Sequence, residues 1–339
     1  LVDPSGAVLQ TKQVQVQQHG AANDFVLPAD APGGRWLLKA VYGQTVEEHA
    51  FVVSRVATPT IQKELDFLRE AYGPGETVQA LVELTGIRGP LADKEVRAIL
   101  TVDGETVLDA PVKTDSTGAV VVSGELPRTL SKGDGLLTVL VEEGGVSESI
   151  SRSVPIVLDT LDLAFFPEGG DLREGLQGRV YFEAKDQHGE PADVEGYVVD
   201  DRGTRVADFR SVHDGLGRFA FTPRAGRFYK AVITAPAGID APVALPVAAE
   251  EGCVLRTYDD FGSREDAVRV GVRCTEPTDV YVVGVQDDAV LDSAAVHAGP
   301  TSEAVVWLKG DTVRQGAVRV TVFDGAETPL AERLVYRGA

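Results

Sequence analysis

The apolar positions of this chain recur mainly with a period of two. In "GRFAFTP" (Gly217 to Pro223), Phe219 and Phe221 fall on one side of an extended chain, and Arg218 and Ala220 fall on the other. "DAVRVGVRC" (Asp266 to Cys274) and "GAVRVTVFD" (Gly316 to Asp324) alternate valine with Arg, Gly or Thr in the same way. Successive side chains of a strand point to opposite faces, so this alternation predicts sheets with one buried face. Such runs return about every 8–12 residues, separated by Gly, Pro and Asp, as in sandwich folds. The stretch most open to a helical reading, "QKELDFLREAY" (Gln62 to Tyr72), also alternates at Leu65, Phe67 and Arg69, and it stops at Tyr72-Gly73-Pro74-Gly75. It reads as a strand. The expected fold class is all-β, a tandem array of immunoglobulin- or fibronectin-III-like β-sandwiches.

Three segments, beginning at Asp3, Asp103 and Asp200, share one plan. Each has an Asp/Gly turn, a strand, a Gly-bearing turn, a strand closing on Leu-Pro or Thr-Pro, and a Gly before an alternating apolar strand. The closing prolines, Pro28, Pro127 and Pro223, lie 99 and 96 residues apart, about one sandwich each. The repeat divides the chain into a partial sandwich at 1–57 and sandwiches at 58–155, 156–250 and 251–339; the last does not show the repeat clearly. The linkers, near 55–60, 152–157 and 246–252, are only a few residues long, so a stiff row is expected. About 45 residues precede the Asp103 turn within its unit, whereas two precede Asp3. The first unit therefore lacks its opening strands, and a half-sandwich exposes a core face and an open strand edge. Two readings stay open: the strands lie upstream in the same polypeptide, or another chain donates them to residues 1–57.

The same frame bears on "HDGLGRFAFTP", where a histidine beside an aspartate suggests the rim of a catalytic pocket. His213-Asp214-Gly215 occupies the place of Asp115-Ser116-Thr117-Gly118 and of Gly20-Ala21-Ala22-Asn23. Small, polar or glycine residues there serve a turn. His213, Asp214, Gly215 and Gly217 are therefore assigned to one structural turn, and Tyr72, Pro74 and Gly75 to another.

Composition narrows the function. The formal net charge is -20 and the pI is near 4.6, which disfavours nucleic acid and anionic membrane surfaces as partners. No apolar run approaches the ~18 residues of a membrane span. Antiparallel pairing centred between Ser263 and Arg264 sets Cys253 opposite Cys274, which predicts a disulfide and an oxidising compartment. Two buried thiols are the alternative. His19, His49, His188, His213 and His297 show no metal-ligand spacing. The acidic turns "DLREGLQG", "DDRGTR" and "DQHGEPAD" lack the alternating ligands of a calcium loop. "FPEGGD" lacks the Gly-Lys-Ser/Thr of a phosphate loop, and Glu168, Asp171 and Glu174 fit an end-loop as well as a carboxylate cluster. Trp36 and Trp307, both in alternating strands, are expected in cores. No catalytic residue, cofactor-binding residue or metal ligand is assigned, and the segment is read as not an enzyme.

"AYGPGETVQALVEL" (Ala71 to Leu84), "GRWLLKAVYGQTVEEHAFVVSRVATPT", "FFPEGGDLREGLQGRVYFEAKDQHGEP" with "HDGLGRFAFTPRAGRFYKAVI", and "GAVRVTVFDGAETPLAERLVY" resemble, in order, motifs of macroglobulin-like domains in the α2-macroglobulin family, in a bacterial version. In that family a protease cleaves a bait region and the molecule closes around it, often with a Cys-x-Glu-Gln thioester. Neither feature occurs here, since "EGCVLR" and "VRCTEP" lack the Glu-Gln pair. The resemblance implies a non-catalytic scaffold segment of a secreted or envelope-attached protein, contributing to protease trapping. Its partners would be proteins, either proteases or further copies, in the periplasm, at the cell surface or outside the cell. The alternative is a structural or adhesive surface protein, filament-forming through strand complementation. A third reading, a carbohydrate-binding accessory module, requires an exposed aromatic platform.

Overall fold

The computed structural model describes residues 1–4, 7–16, 22–28, 31, 34–53, 60–143, 146–258, 267–309 and 315–337. Among these there are strands, turns and no helix. The first strands, β1 (Gly34–Tyr42) and β2 (Thr45–Val53), form an antiparallel hairpin. Leu1, Ala31 and Trp36 make its small core, with Phe51 stacked 6.5 Å from the indole. Val2 bridges to Leu37 at the β1 edge, exchanging two backbone hydrogen bonds with it.

The second unit runs β3 (Ile61–Phe67), β4 (Thr77–Gly86), β5 (Gly89–Pro90), β6 (Glu95–Val102), β7 (Glu105–Lys113), β8 (Ala119–Glu125), β9 (Gly135–Glu143) and β10 (Val146–Ser153). One layer is β3-β4-β8, with β5 added to β4, and the other is β10-β9-β6-β7. The stretch with an ambiguous period is thus strand over residues 61–67. In β4, Val78, Ala80, Val82 and Leu84 are buried and alternate with exposed Thr77, Gln79 and Glu83. Each such Val or Leu contributes about 1.5–3 kcal/mol by leaving water, which is what holds the two layers together.

The third unit runs β11 (Asp162–Pro167), β12 (Gly178–Lys185), β13 (Glu195–Asp200), β14 (Arg205–His213), β15 (Leu216–Phe221), β16 (Tyr229–Ala235) and β17 (Val243–Ala244). Its layers β11-β12-β15 and β14-β13-β16-β17 repeat the order of the second unit, and β14 carries the sheet over into β15. A Phe cluster fills its centre, with Phe182 and Phe209 edge to face at 5.3 Å.

The fourth runs β18 (Cys253–Thr257), β19 (Ala267–Cys274), β20 (Thr278–Gln286), β21 (Ala289–Ala298), β22 (Ala304–Lys309), β23 (Gly316–Phe323) and β24 (Pro329–Arg337). Its layers, β18-β19-β22 and β21-β20-β23-β24, have the same connectivity again. The repeat that is faint in this part of the sequence is therefore plain in its topology. Cys253 and Cys274 face each other in the β18–β19 register, with Cα atoms 4.0 Å apart, and are joined as a disulfide.

The prolines that mark the repeat occupy matching places in two units. The carbonyl of Pro127 accepts the N–H of Gly75 at 3.0 Å, and that of Pro223 accepts the N–H of Gly175 at 2.8 Å. In the first unit, the carbonyl of Pro28 accepts from Ala31 instead.

Candidate functional site at the junctions

His213 ends β14, and Asp214 (φ 47°) and Gly215 (φ 70°) form the two-residue loop into β15. A loop of two residues with positive φ matches the right-handed twist of the strands it joins. The carbonyl of Gly215 accepts the N–H of Ala184 at 3.0 Å, as that of Gly118 accepts the N–H of Leu84 at 3.0 Å. The two turns therefore hold the same place in their sandwiches. Residues 20 and 21 of the frame's third turn, at 20–23, lie outside the described residues. Gly217 corrects the sequence reading: it lies within β15, packed against Phe182 and the backbone of Arg210, and not in the turn.

His213 Nε2 lies 3.1 Å from the Asp214 carboxylate, and both side chains are exposed. Ser211, two residues away, accepts the Val194 N–H at 3.0 Å. Among the described residues no hydrogen bond joins the histidine to that hydroxyl, so the trio does not form a base–nucleophile pair.

Pro74 and Gly75 make a turn, and Tyr72 does more than turn. Its N–H goes to the Pro155 carbonyl and its own carbonyl takes the N–H of Val157, both at 2.9 Å, forming a parallel bridge with Ile156. Its neighbour Ala71 is buried in the core of the third unit, while Tyr72 and Ile156 belong to the core of the second. Gly73 lies so close to the carbonyl of Ala237 that a methyl group would collide with it. Glu76 takes N–H donors from both sides, Gly73 and Ala237, at 3.0 Å each. The stretch from 71 to 76 is thus the joint between the second and third sandwiches.

Beside this joint the two units enclose a cleft of about 400 Å³. Phe67, Leu68, Arg69 and Glu70 line one wall; Asp193 to Glu195 and Ser211 to Asp214 line the other. Asp193 spans it, accepting the Glu70 N–H at 2.9 Å. Burial raises the Glu70 carboxyl above its ordinary range; Arg152 opposes this, while Asp193, Asp214 and Asp66 add to it. Of the turn residues assigned from sequence, His213 and Asp214 line this cleft, and Tyr72, Pro74 and Gly75 do not.

The next joint is ionic. Glu168, with a side chain 1% exposed, accepts the Thr257 N–H at 3.0 Å and sits 3.1 Å from Arg333 Nε. Arg179 stands 3.5 Å from its other oxygen, an ion pair too long for a hydrogen bond. Arg333 also donates to the Tyr181 hydroxyl at 2.8 Å and lies over that ring. The N–H of Glu332 goes to the Gly169 carbonyl at 3.0 Å. Glu168 and Asp171 do not gather with Glu174 into a metal cluster: among the described residues no group of three potential ligands is found. Asp171 pairs with Arg173, and Glu174 accepts from the N–H of Gly226.

Trp307 corrects a second expectation. Trp36 is buried, but Trp307 is 45% exposed on the outer face of β22, with the Arg269 guanidinium 5.1 Å from its ring. Arg269 lies equally over Tyr258, at 4.8 Å, so the pair of rings flanks one cation.

No protein-family model matches the chain. A stretch of 137 residues, 40% of this chain, is 27% identical to the α2-macroglobulin of Ralstonia nicotianae and spans 8% of that protein. Among solved structures, native α2-macroglobulin of Escherichia coli aligns with 100% of this chain and 26% of its own length, at 13% identity and a TM-score of 0.38. A Salmonella α2-macroglobulin aligns with 91% of this chain and 26% of its own, at 14% identity and 0.36. The Escherichia coli adhesin FdeC aligns with 84% of this chain and 100% of its own, at 14% identity and 0.24. Superpositions this loose carry no argument about function. The chain spans about a quarter of those α2-macroglobulins. The sequence relationship, carried on an all-β architecture, supports a macroglobulin-like segment similar to part of a bacterial α2-macroglobulin.

Proposed function

We propose that the chain is a non-catalytic scaffold segment of a secreted or envelope-attached α2-macroglobulin-like protein, contributing to protease trapping. The observation that carries this is the 137-residue similarity to a bacterial α2-macroglobulin. The segment's own design is consistent with it. Buried contacts weld the second, third and fourth units, as a scaffold that must hold its geometry requires. The division proposed is 1–57, 58–155, 156–250 and 251–339. The disulfide fits an extracytoplasmic location.

The test uses the full-length protein of the gene, mixed with a protease such as elastase. A trap shields large protein substrates from the enclosed protease while a small chromogenic peptide still reaches it. Undiminished cleavage of the large substrate at excess protein contradicts the proposal.

One feature favours the second reading, an adhesive or filament-forming surface protein. Beyond the Val2–Leu37 bridge, β1 continues to Tyr42, which is 81% exposed, as are Val41 and Val46 in large part. In the second unit the matching strand β9 is paired by β6. A strand donated from another chain would complete β1 in the same way. Concentration-dependent oligomers in sedimentation, lost on Val41→Pro, support that reading, and a monomer at all concentrations removes it.

A further inference from the structure

The cleft between the second and third units has an electrostatic demand that the chain does not meet. Glu70, Asp193, Glu195 and Asp214 all line it. Among the described residues, neither Glu70 nor Glu195 has an ion-pair partner. Arg210 stands opposite Glu195 in the β13–β14 register, without an ion pair to it among the described residues, and the other nearby cations are committed elsewhere. Arg69 lies 3.3 Å from Glu76 and over the Tyr72 ring, and Arg152 pairs with Asp66 and the Leu65 carbonyl. His213 turns to Asp214.

The lips of the same cleft are apolar, one from each unit. Leu68 is 53% exposed on the side of the second sandwich, and Val212 is 81% exposed on the side of the third. Isolated apolar residues on a surface are ordinary, but here two of them line the same concavity as four carboxylates. The walls are fixed relative to one another by the Tyr72 bridge, the Glu76 contacts and the Glu70–Asp193 hydrogen bond, so the shape exists before anything enters it. A preformed site avoids the ordering cost of binding.

We propose that this cleft is a docking site for an extended protein segment that presents an arginine or lysine between apolar residues. The cationic head enters between Glu70 and Glu195, and its apolar neighbours rest on Leu68 and Val212. A guanidinium suits these carboxylates best, because it offers them paired donors. The overall charge of -20 steers such a partner toward the chain, and the cleft gives it a place to stop. The inference stands apart from the protease-trap reading and survives its failure.

The test is fluorescence anisotropy of a labelled peptide, Leu-Arg-Val-Arg-Leu, against the intact chain at physiological salt, with Leu-Gln-Val-Gln-Leu as comparison. The arginine peptide is expected to bind at least about tenfold more tightly. The double variant Glu70→Gln/Glu195→Gln is expected to lose that advantage, and Val212→Ser to weaken both peptides. Glu142→Gln/Glu250→Gln removes the same charge from exposed sites elsewhere and is expected to leave binding within about twofold. Circular dichroism confirms that each variant is folded. Equal binding of the two peptides overturns the proposal. So does an equal loss in the control pair, which would mark diffuse attraction, or no binding at millimolar peptide.

Discussion

A methyl group on Gly215 would collide with the carbonyl oxygen of Ala184, and one on Gly118 with that of Leu84. These carbonyls are the ones beside which each turn closes onto its sheet, so both space and positive φ demand glycine there. Gly215→Ala is expected to cost about 2–4 kcal/mol in chemical denaturation of the third unit. Gly203→Ala, at a positive φ but with open space around it, should cost only about 1 kcal/mol. Equal costs would contradict the packing account. This turn was legible in sequence because its chemistry is local: His213-Asp214-Gly215 matches its sister segments without reference to distant residues. The exposure of Trp307 was not. Alternation shows that a side chain faces one side of a strand, but not which side is inside when the strand lies at an edge. A pH effect also belongs at this scale. The Lys63 ammonium, together with the Thr60 hydroxyl and N–H, holds Glu148 down to about 2 from an ordinary 4.5, against the opposing effect of burial. The folded state thus holds the proton less tightly than the unfolded one. The stabilisation is complete above the ordinary value and fades as pH falls from about 4.5 to about 2. Glu148→Gln should flatten acid unfolding curves over that window, and an unchanged curve would contradict the assignment.

Between elements, Cys253 and Cys274 were predictable from symmetry about a hairpin, and β18 and β19 pair in that register. The bridge closes a sequence separation of 21 and is worth about 3 kcal/mol. Reduction should lower the calorimetric transition of the fourth unit and leave the others in place. A uniform shift of every transition would mean the units do not unfold as separate cores. Glu168 was opaque to sequence reasoning. "FPEGGD" reads as a turn, and nothing within it announces that Arg333, from β24, will close over the carboxylate. Removing one member of a buried ion pair leaves the others desolvated, so Glu168→Ala is expected to cost about 3–5 kcal/mol. A cost below about 1 kcal/mol in denaturant melts would show that solvent already reaches the site.

For the whole molecule, hydrophobic alternation and the spacing of Pro28, Pro127 and Pro223 conveyed the class of fold and the length of its repeat. They did not convey the fourth unit's membership in the repeat, because β18 to β24 preserve the connectivity while their turns use different residues. Nor did they convey how the units are locked. Ile156 and Val157 are adjacent in sequence, yet they enter different cores, and Ala71 crosses from the loop after β3 into the next sandwich. The central claim is that these buried crossings make the second, third and fourth sandwiches one stiff body. Pulsed electron-electron spin resonance between labels at Ile87→Cys and Val290→Cys, both exposed positions, measures it directly with the native disulfide intact. One narrow distance distribution is expected, broadening when Glu168→Ala is added. A broad distribution in the unmodified background would contradict the claim.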